Sequence, residues 1–161
     1  MLIRPAQLED HAAIWRVLEP IIRAGESYAL PRDMDAPDAI AFWANPGHET
    51  FVAEVDGEVV GTYFLRANQL GGGAHVANAG YATAVGATGR GIARAMCEHS
   101  MTRARELGFR SMQFNFVIST NERAVRLWKS LGFEIVGRLP LAFRHPTLGY
   151  VDAFVMSQPL P

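Results

Sequence analysis

At 161 residues, 49% hydrophobic and 19% charged, the chain has one domain's length and enough apolar content for a full core, which excludes a disordered chain. A formal net charge of −1 excludes a surface basic enough for general nucleic-acid binding, and no apolar run approaches the ~18 residues of a membrane span. The start, MLIRPAQLED, turns acidic before any apolar stretch develops; no secretory leader is read, and a soluble, cytoplasmic single domain over residues 1–161 is expected.

Residues 2–4 predict a first strand. Leu8, Ala12, Trp15 and Leu18 recur at helical spacing and predict a helix that ends before Pro20. The Gly, Pro and acidic residues of 25–37 read as a loop or broken helix, and 39–44 as a short helix stopped by Asn45-Pro46-Gly47. β-rich runs at 51–55 and 58–65 flank Asp56-Gly57, the clearest hairpin signal in the chain. A flexible loop at 68–74 leads to a strand over 75–85. A helix then opens near Gly89 to Gly91 and runs to Leu107, with Gly108 as its stop.

Residues 112–117 alternate as a strand. Ser119-Thr120-Asn121-Glu122 reads as a capping box, in which Ser119 and Glu122 each satisfy an orphan N–H. Ala124, Leu127, Trp128 and Leu131 share one face of the helix it opens, and Gly132 closes it. Two further strands, 133–139 and 150–156, flank a proline-bearing loop. The order β-α-α-β-β-β-α-β-α-β-β predicts a mixed α/β sheet covered by helices.

Charge is unevenly spread. Residues 1–87 carry 5 basic and 11 acidic side chains, and residues 88–129 carry 8 basic and 3 acidic. Two readings fit: an anionic ligand in the middle third with a cationic one at the first half, or a basic helix pair lying beside acidic loops.

The chemistry concentrates in Thr83-Ala84-Val85-Gly86-Ala87-Thr88-Gly89-Arg90-Gly91-Ile92-Ala93-Arg94. A strand delivers the chain into a glycine turn and a helix begins at once. The first N–H groups of such a helix lack partners and sit at its positive end, an arrangement that binds phosphate. A Walker A loop needs Gly-Lys-Ser/Thr, which is absent, and a dinucleotide fingerprint wants a third glycine where Arg94 stands. A strand-to-helix turn without any ligand is the competing reading.

Thr88-Gly89-Arg90-Gly91-Ile92-Ala93, followed by Asn121-x-x-Ala124-x-x-Leu127-Trp128-x-x-Leu131-Gly132-Phe133, resembles the GCN5-related N-acetyltransferases (GNAT). The resemblance implies an acyl-CoA N-acyltransferase fold, a central, mostly antiparallel sheet flanked by about four helices, and acetyl-CoA as cosubstrate. It also implies main-chain contacts from Thr83 and Val85 to the pantetheine arm. Gly89, Arg90, Gly91, Ile92 and Ala93 would give N–H groups to the pyrophosphate, and Asn121 would touch the cofactor from the next helix. Thr88 stands where the family usually has Arg or Gln, with Arg90 and Arg94 supplying compensating charge. Trp128 stands where many members place a Tyr that protonates the departing thiolate. An indole N–H has no such acid–base chemistry, and Trp128 reads more simply as core.

Amine acetylation needs a neutral amine, a polarised thioester and a route for the proton. Glu26, in the acidic loop where this family builds its acceptor site, is read as base or amine anchor, or as a solvated loop acid. His75 and Asn78 enter the strand that leads to the cofactor turn, and His titrates in the useful range. Tyr81 shares the strand face of Thr83 and either lines the acceptor channel or packs. Tyr28 and Tyr150 are weaker substitutes for the missing acid. His145 lies in a loop able to close over substrate, whereas His11 and His99 read as structural.

Cys97, the single cysteine, forbids an internal disulfide and reads as a packed residue. No two histidines share a helix face, so no metal site is expected. The function read is direct acetyl transfer from acetyl-CoA to a primary amine of a small molecule or peptide. A non-catalytic acyl-CoA sensor and a transferase for another acyl group are the alternatives. Nucleic-acid and membrane partners are not expected, and the resemblance implies a possible homodimer.

Overall fold

Asp56 and Gly57 both take positive φ, 51° and 80°, which matches the right-handed twist of the strands they join. They link β2 (Glu49–Val55) to β3 (Glu58–Ala67), the pair that anchors the sheet. The computed structural model describes residues 1–161. Its remaining strands are β1 (Leu2–Pro5), β4 (Val76–Thr83), β5 (Ser111–Ile118), β6 (Glu134–His145) and β7 (Gly149–Pro159). All seven form one sheet in the order β1-β2-β3-β4-β5-β7-β6, in which only β4 and β5 run parallel.

Four helices cover it: α1 (His11–Ala24), α2 (Ala36–Trp43), α3 (Ile92–Glu106) and α4 (Glu122–Ser130). Under α1 and α2 lies an apolar cluster that includes Ile14, Leu18, Trp43, Val52 and Phe64. A larger cluster on the opposite face takes Met96 and Cys97 from α3, Trp128 from α4, and Phe114 and Met156 from the sheet. Burial of this apolar area on two faces is what drives the sheet to form. No helix is long and apolar enough to cross a membrane.

Three sequence expectations are corrected. The first helix does not stop before Pro20 but runs through it to Ala24. Pro20 sits on the exposed face, where water can satisfy the Arg16 carbonyl that loses its partner. Val17, Leu18 and Ile22 are buried on the other side and hold the helix. Its apolar face is therefore Ile14, Val17, Leu18 and Ile22, while Leu8 is 79% exposed.

The cap of α4 is Asn121, whose side chain accepts from the Ala124 N–H at 3.4 Å, and not Ser119, whose N–H goes to the Asp152 carbonyl of β7. The proline-bearing loop is largely strand as well. β6 reaches His145, and Pro140 is tolerated because this is an edge strand with an irregularity between Leu139 and Phe143.

Candidate functional site

β4 pairs with β3 over seven registered positions, from Gly61↔Thr83 to Ala67↔Ala77, but with β5 at only two, Val76↔Ser111 and Ala77↔Met112. Beyond these the parallel strands splay apart. Val76 accepts from Asn68 of the β3 side, and the Ala84 N–H donates to Val60. Strand alternation therefore turns the main-chain groups of Ala79, Tyr81 and Thr83 away from β3 and into the gap. The gap is a cavity of about 730 Å³.

At one end the chain leaves β4 through a short helical turn, Val85–Ala87, so Val85 lies past the strand end that the sequence placed there. Thr88 ties that turn, its hydroxyl donating to the Val85 carbonyl at 3.1 Å. Gly89 and Gly91 hold φ of 81° and 78°, a region that only glycine occupies without cost. The first helical bond of α3 runs from the Ala95 N–H to the Gly91 carbonyl, which leaves the N–H groups of Ile92, Ala93 and Arg94 free at the positive end of the helix.

Two arginines border this end. Arg94 donates to Ser130 Oγ at 2.7 Å and so links α3 to α4. The Arg123 guanidinium lies 3.1 Å from where a side chain on Gly89 would begin. Thr83, Val85, Thr88, Gly89, Gly91, Ile92, Ala93, Arg94 and Asn121 all line the cavity, whereas Arg90 is exposed beside it.

The other end is built from β3, β4 and the loop after α1. Arg23 and Arg32 fasten that loop by donating to each other's carbonyls, Arg32 Nε to Arg23 at 2.8 Å. It carries Tyr28, whose hydroxyl donates to the Tyr81 carbonyl at 2.5 Å; burial raises the Tyr28 pKa above the usual phenol, so it holds its proton. On the sheet surface Phe64 faces Gly80 and Arg66 faces Asn78 across the β3–β4 pair. Asn78, nearly buried, donates to the Gln113 carbonyl of β5 at 2.9 Å.

The three expected catalytic side chains are not brought together. Tyr81 lines the cavity, but its hydroxyl points into the core, sharing a hydrogen bond of 2.7 Å with Ser100 Oγ. Burial pushes its pKa well above the usual phenol. Glu26 is exposed and outside the cavity wall, one residue before Ser27, which lines it. His75 is exposed at the start of β4, the end remote from the glycine turn, and does not reach the cavity.

Trp128 is core, its ring 5.1 Å from those of Tyr81 and Phe114. His145 Nδ1 accepts from the Thr147 and Leu148 N–H groups, so it shapes the β6–β7 turn. His99 meets the Tyr63 hydroxyl at 2.7 Å, away from the cavity. Cys97 is buried, and burial pushes its thiol up to about 12. No cluster of His, Cys, Asp and Glu suited to a metal is present.

Sequence reasoning missed Arg123 and Arg66 as cavity residues. The excess of basic residues over 88–129 was a signal for Arg123. Nothing local marks Arg66. Together with Arg94 they are the only charged side chains in the wall, which contains no Asp, Glu, His or Lys.

A strand edge left open beside a glycine turn and a free helix N-terminus is the central feature of this site. Residues 12–133 match the acetyltransferase (GNAT) family, and the chain belongs to it. It is similar to a GCN5-related N-acetyltransferase from Kribbella flavida, with a TM-score of 0.93 and 42% identity over 99% of this chain and 97% of that one.

It is also 30% identical to N-acetyltransferase aca1 of Schizosaccharomyces pombe over 73% of this chain, and spans 57% of that protein's length. A GNAT superfamily phosphinothricin acetyltransferase from Sinorhizobium meliloti, solved in complex with acetyl-CoA, shares the fold. Its TM-score is 0.86 and its identity 21%, over 99% of this chain and 88% of that one.

Proposed function

We propose that the protein is an acetyl-CoA-dependent N-acetyltransferase that passes the acetyl group directly to a primary amine. The observation that carries this reading is the unpaired edge of β4 running into the free N-terminus of α3. An extended pantetheine arm carries amides able to pair with the exposed main-chain groups of Ala79 and Thr83, much as an added strand would. The free N–H groups of Ile92, Ala93 and Arg94 suit a pyrophosphate, and Arg94 and Arg123 add charge there. Asn121 faces the same cavity while its oxygen caps α4.

Acetyl-CoA supplies a thioester-activated acetyl group. A main-chain N–H of Ala79 or Tyr81, fixed by the sheet, is oriented to stabilise charge growing on a carbonyl oxygen in the gap. The amine must lose its proton before it attacks. The wall offers no carboxylate to keep it charged, and a desolvating site beside arginine favours the neutral amine. The proton leaves through water toward the loop that bears Glu26, the residue before Ser27 of the wall. Neither Trp128 nor the core-facing Tyr81 hydroxyl offers an acid to the leaving thiolate.

Thermal unfolding with acetyl-CoA, CoA, NAD and ATP in parallel tests the cofactor. At ~100 times its dissociation constant a ligand of the folded state adds about 2.7 kcal/mol. A raised midpoint with the CoA compounds alone, followed by free thiol release when amines are added, is the expected outcome. No shift with either CoA compound would sink the reading. A shift with no thiol release from any amine would leave a non-catalytic acyl-CoA sensor.

A further inference from the structure

Arg66 is half-buried in the cavity wall and takes part in no ion pair. Its Nε donates to Asn78 Oδ1 at 3.2 Å, and both terminal guanidinium nitrogens are left without a protein acceptor. The side chain is held in place. Its guanidinium carbon lies 5.7 Å from the centre of the Phe64 ring, within cation–π range. Phe64 can lie flat across β4 only because its cross-strand neighbour is Gly80, where a Cβ would come within 2.6 Å of the ring. His48 stacks on the same ring at 4.7 Å, and burial, with Arg66 nearby, holds it below the ordinary imidazole range and so neutral at pH 7.

This guanidinium is far from the phosphate end. Asn78, its cross-strand partner, is five residues upstream of Thr83, about 16 Å along the strand. It also projects from the face of the sheet that carries Phe64 and α1, opposite the face covered by α3. The cavity thus has two cationic poles, and the acidic residues of the first half of the chain contribute nothing to its wall. A half-buried arginine with two free nitrogens and no carboxylate is costly unless a ligand supplies the anion.

We infer that the acceptor is a small primary amine that also carries a carboxylate, an α- or ω-amino acid, and that Arg66 with Asn78 binds the carboxylate while the amine faces the gap beside β4. The inference rests on the acetyltransferase reading for the fate of the amine but not for the anion site. It differs from the sequence reading in which the acidic first half of the chain meets a cationic ligand.

The test compares leucine, phenylalanine and γ-aminobutyrate, each against its own primary amide, at saturating acetyl-CoA with thiol release as readout. For at least one pair the acid is expected to exceed the amide on the order of 10- to 100-fold in kcat/KM, the range of a charge-assisted hydrogen-bond pair. Arg66→Gln is expected to collapse that ratio toward one while leaving the acetyl-CoA midpoint shift intact. Arg66→Lys should keep part of it.

Amides used as well as acids by the unaltered protein, or an unchanged ratio in Arg66→Gln, would overturn the inference. If no amine releases thiol, transfer itself has failed, and calorimetric binding of the same acids and amides to the CoA-loaded or free protein decides the anion site. Acids bound by the unaltered protein and lost in Arg66→Gln uphold it. Acids bound no better than amides overturn it.

Discussion

The two edges of β4 have opposite fates. One is closed by β3 over seven registered positions, and the other meets β5 at two and then stands free. On the closed edge the strand's main-chain groups contribute to the sheet and its side chains to two cores. On the free edge the same backbone is available to a ligand. The proposed function is thus built from unmade pairing, and the splay of β4 from β5 is what withholds it. Ion pairs follow the same division. Arg4 with Asp10 and Glu54, and Arg103 with Glu49, tie the β1–β2 side, and none bridges β4 to β5.

The sharpest way to break this comparison is a change on the free side that spares the closed one. Gly91→Val puts a β-branched side chain at φ 78°, costing about 1–2 kcal/mol of backbone strain, and narrows the turn that offers the free N–H groups. The expected result is loss of the acetyl-CoA-induced midpoint rise, a drop in affinity above ~100-fold, in a protein that stays folded by circular dichroism. Retained affinity would detach the glycine turn from cofactor binding.

Gly80→Ala probes the closed edge. The new methyl would meet Phe64 Cε1 at 2.6 Å and Cζ at 2.8 Å, atoms of a ring locked against Trp43. Overpacking of this kind costs about 1–3 kcal/mol, readable as a lower urea midpoint with the acetyl-CoA response retained. An unchanged urea midpoint would mean that Phe64 is free to move and that Arg66 is less firmly placed.

The smallest effect is the pH dependence of the closed side. Hydrogen bonding to Arg4 lowers the Asp10 carboxyl below its ordinary 3.8, and hydrogen bonding to Arg103 lowers Glu49 below its ordinary 4.5. Each contributes stability that is complete above those ordinary values and lost as pH falls through the lowered ones. Unfolding midpoints should therefore stay level in acid down to the ordinary carboxylate range and decline below it. In Arg4→Met the midpoint at neutral pH should be lower and the acid decline shallower, because the hydrogen bonds that lower the Asp10 carboxyl are gone. An acid decline as deep in Arg4→Met as in the unaltered protein would remove Arg4 from the account.

Local patterns in the sequence carried much of this. Asp56-Gly57 made the hairpin legible, and glycines at 89 and 91 between a strand and a helix marked the turn proposed to bind the pyrophosphate, because backbone freedom and helix polarity act within a few residues. The same locality misled at Pro20, where buried neighbours outweigh one lost hydrogen bond, and at Ser119, whose N–H is taken by a strand about thirty residues later in the chain. His75 was attractive as a titrating group on the right strand, yet it sits at the wrong end of it.

What the sequence determined alone is the set of short-range decisions: the alternation that makes β4 a strand, the turn that ends it, and the helix start that exposes N–H groups. Tertiary structure alone decided where β4 and β5 part and which charges face the gap. Arg66 and Asn78 lie twelve residues apart and become partners only through the register of β3 on β4. Tyr28 reaches Tyr81 from another loop altogether. Such contacts are set by how two cores pack on opposite faces of one sheet, a sum over many distant side chains that no local motif encodes.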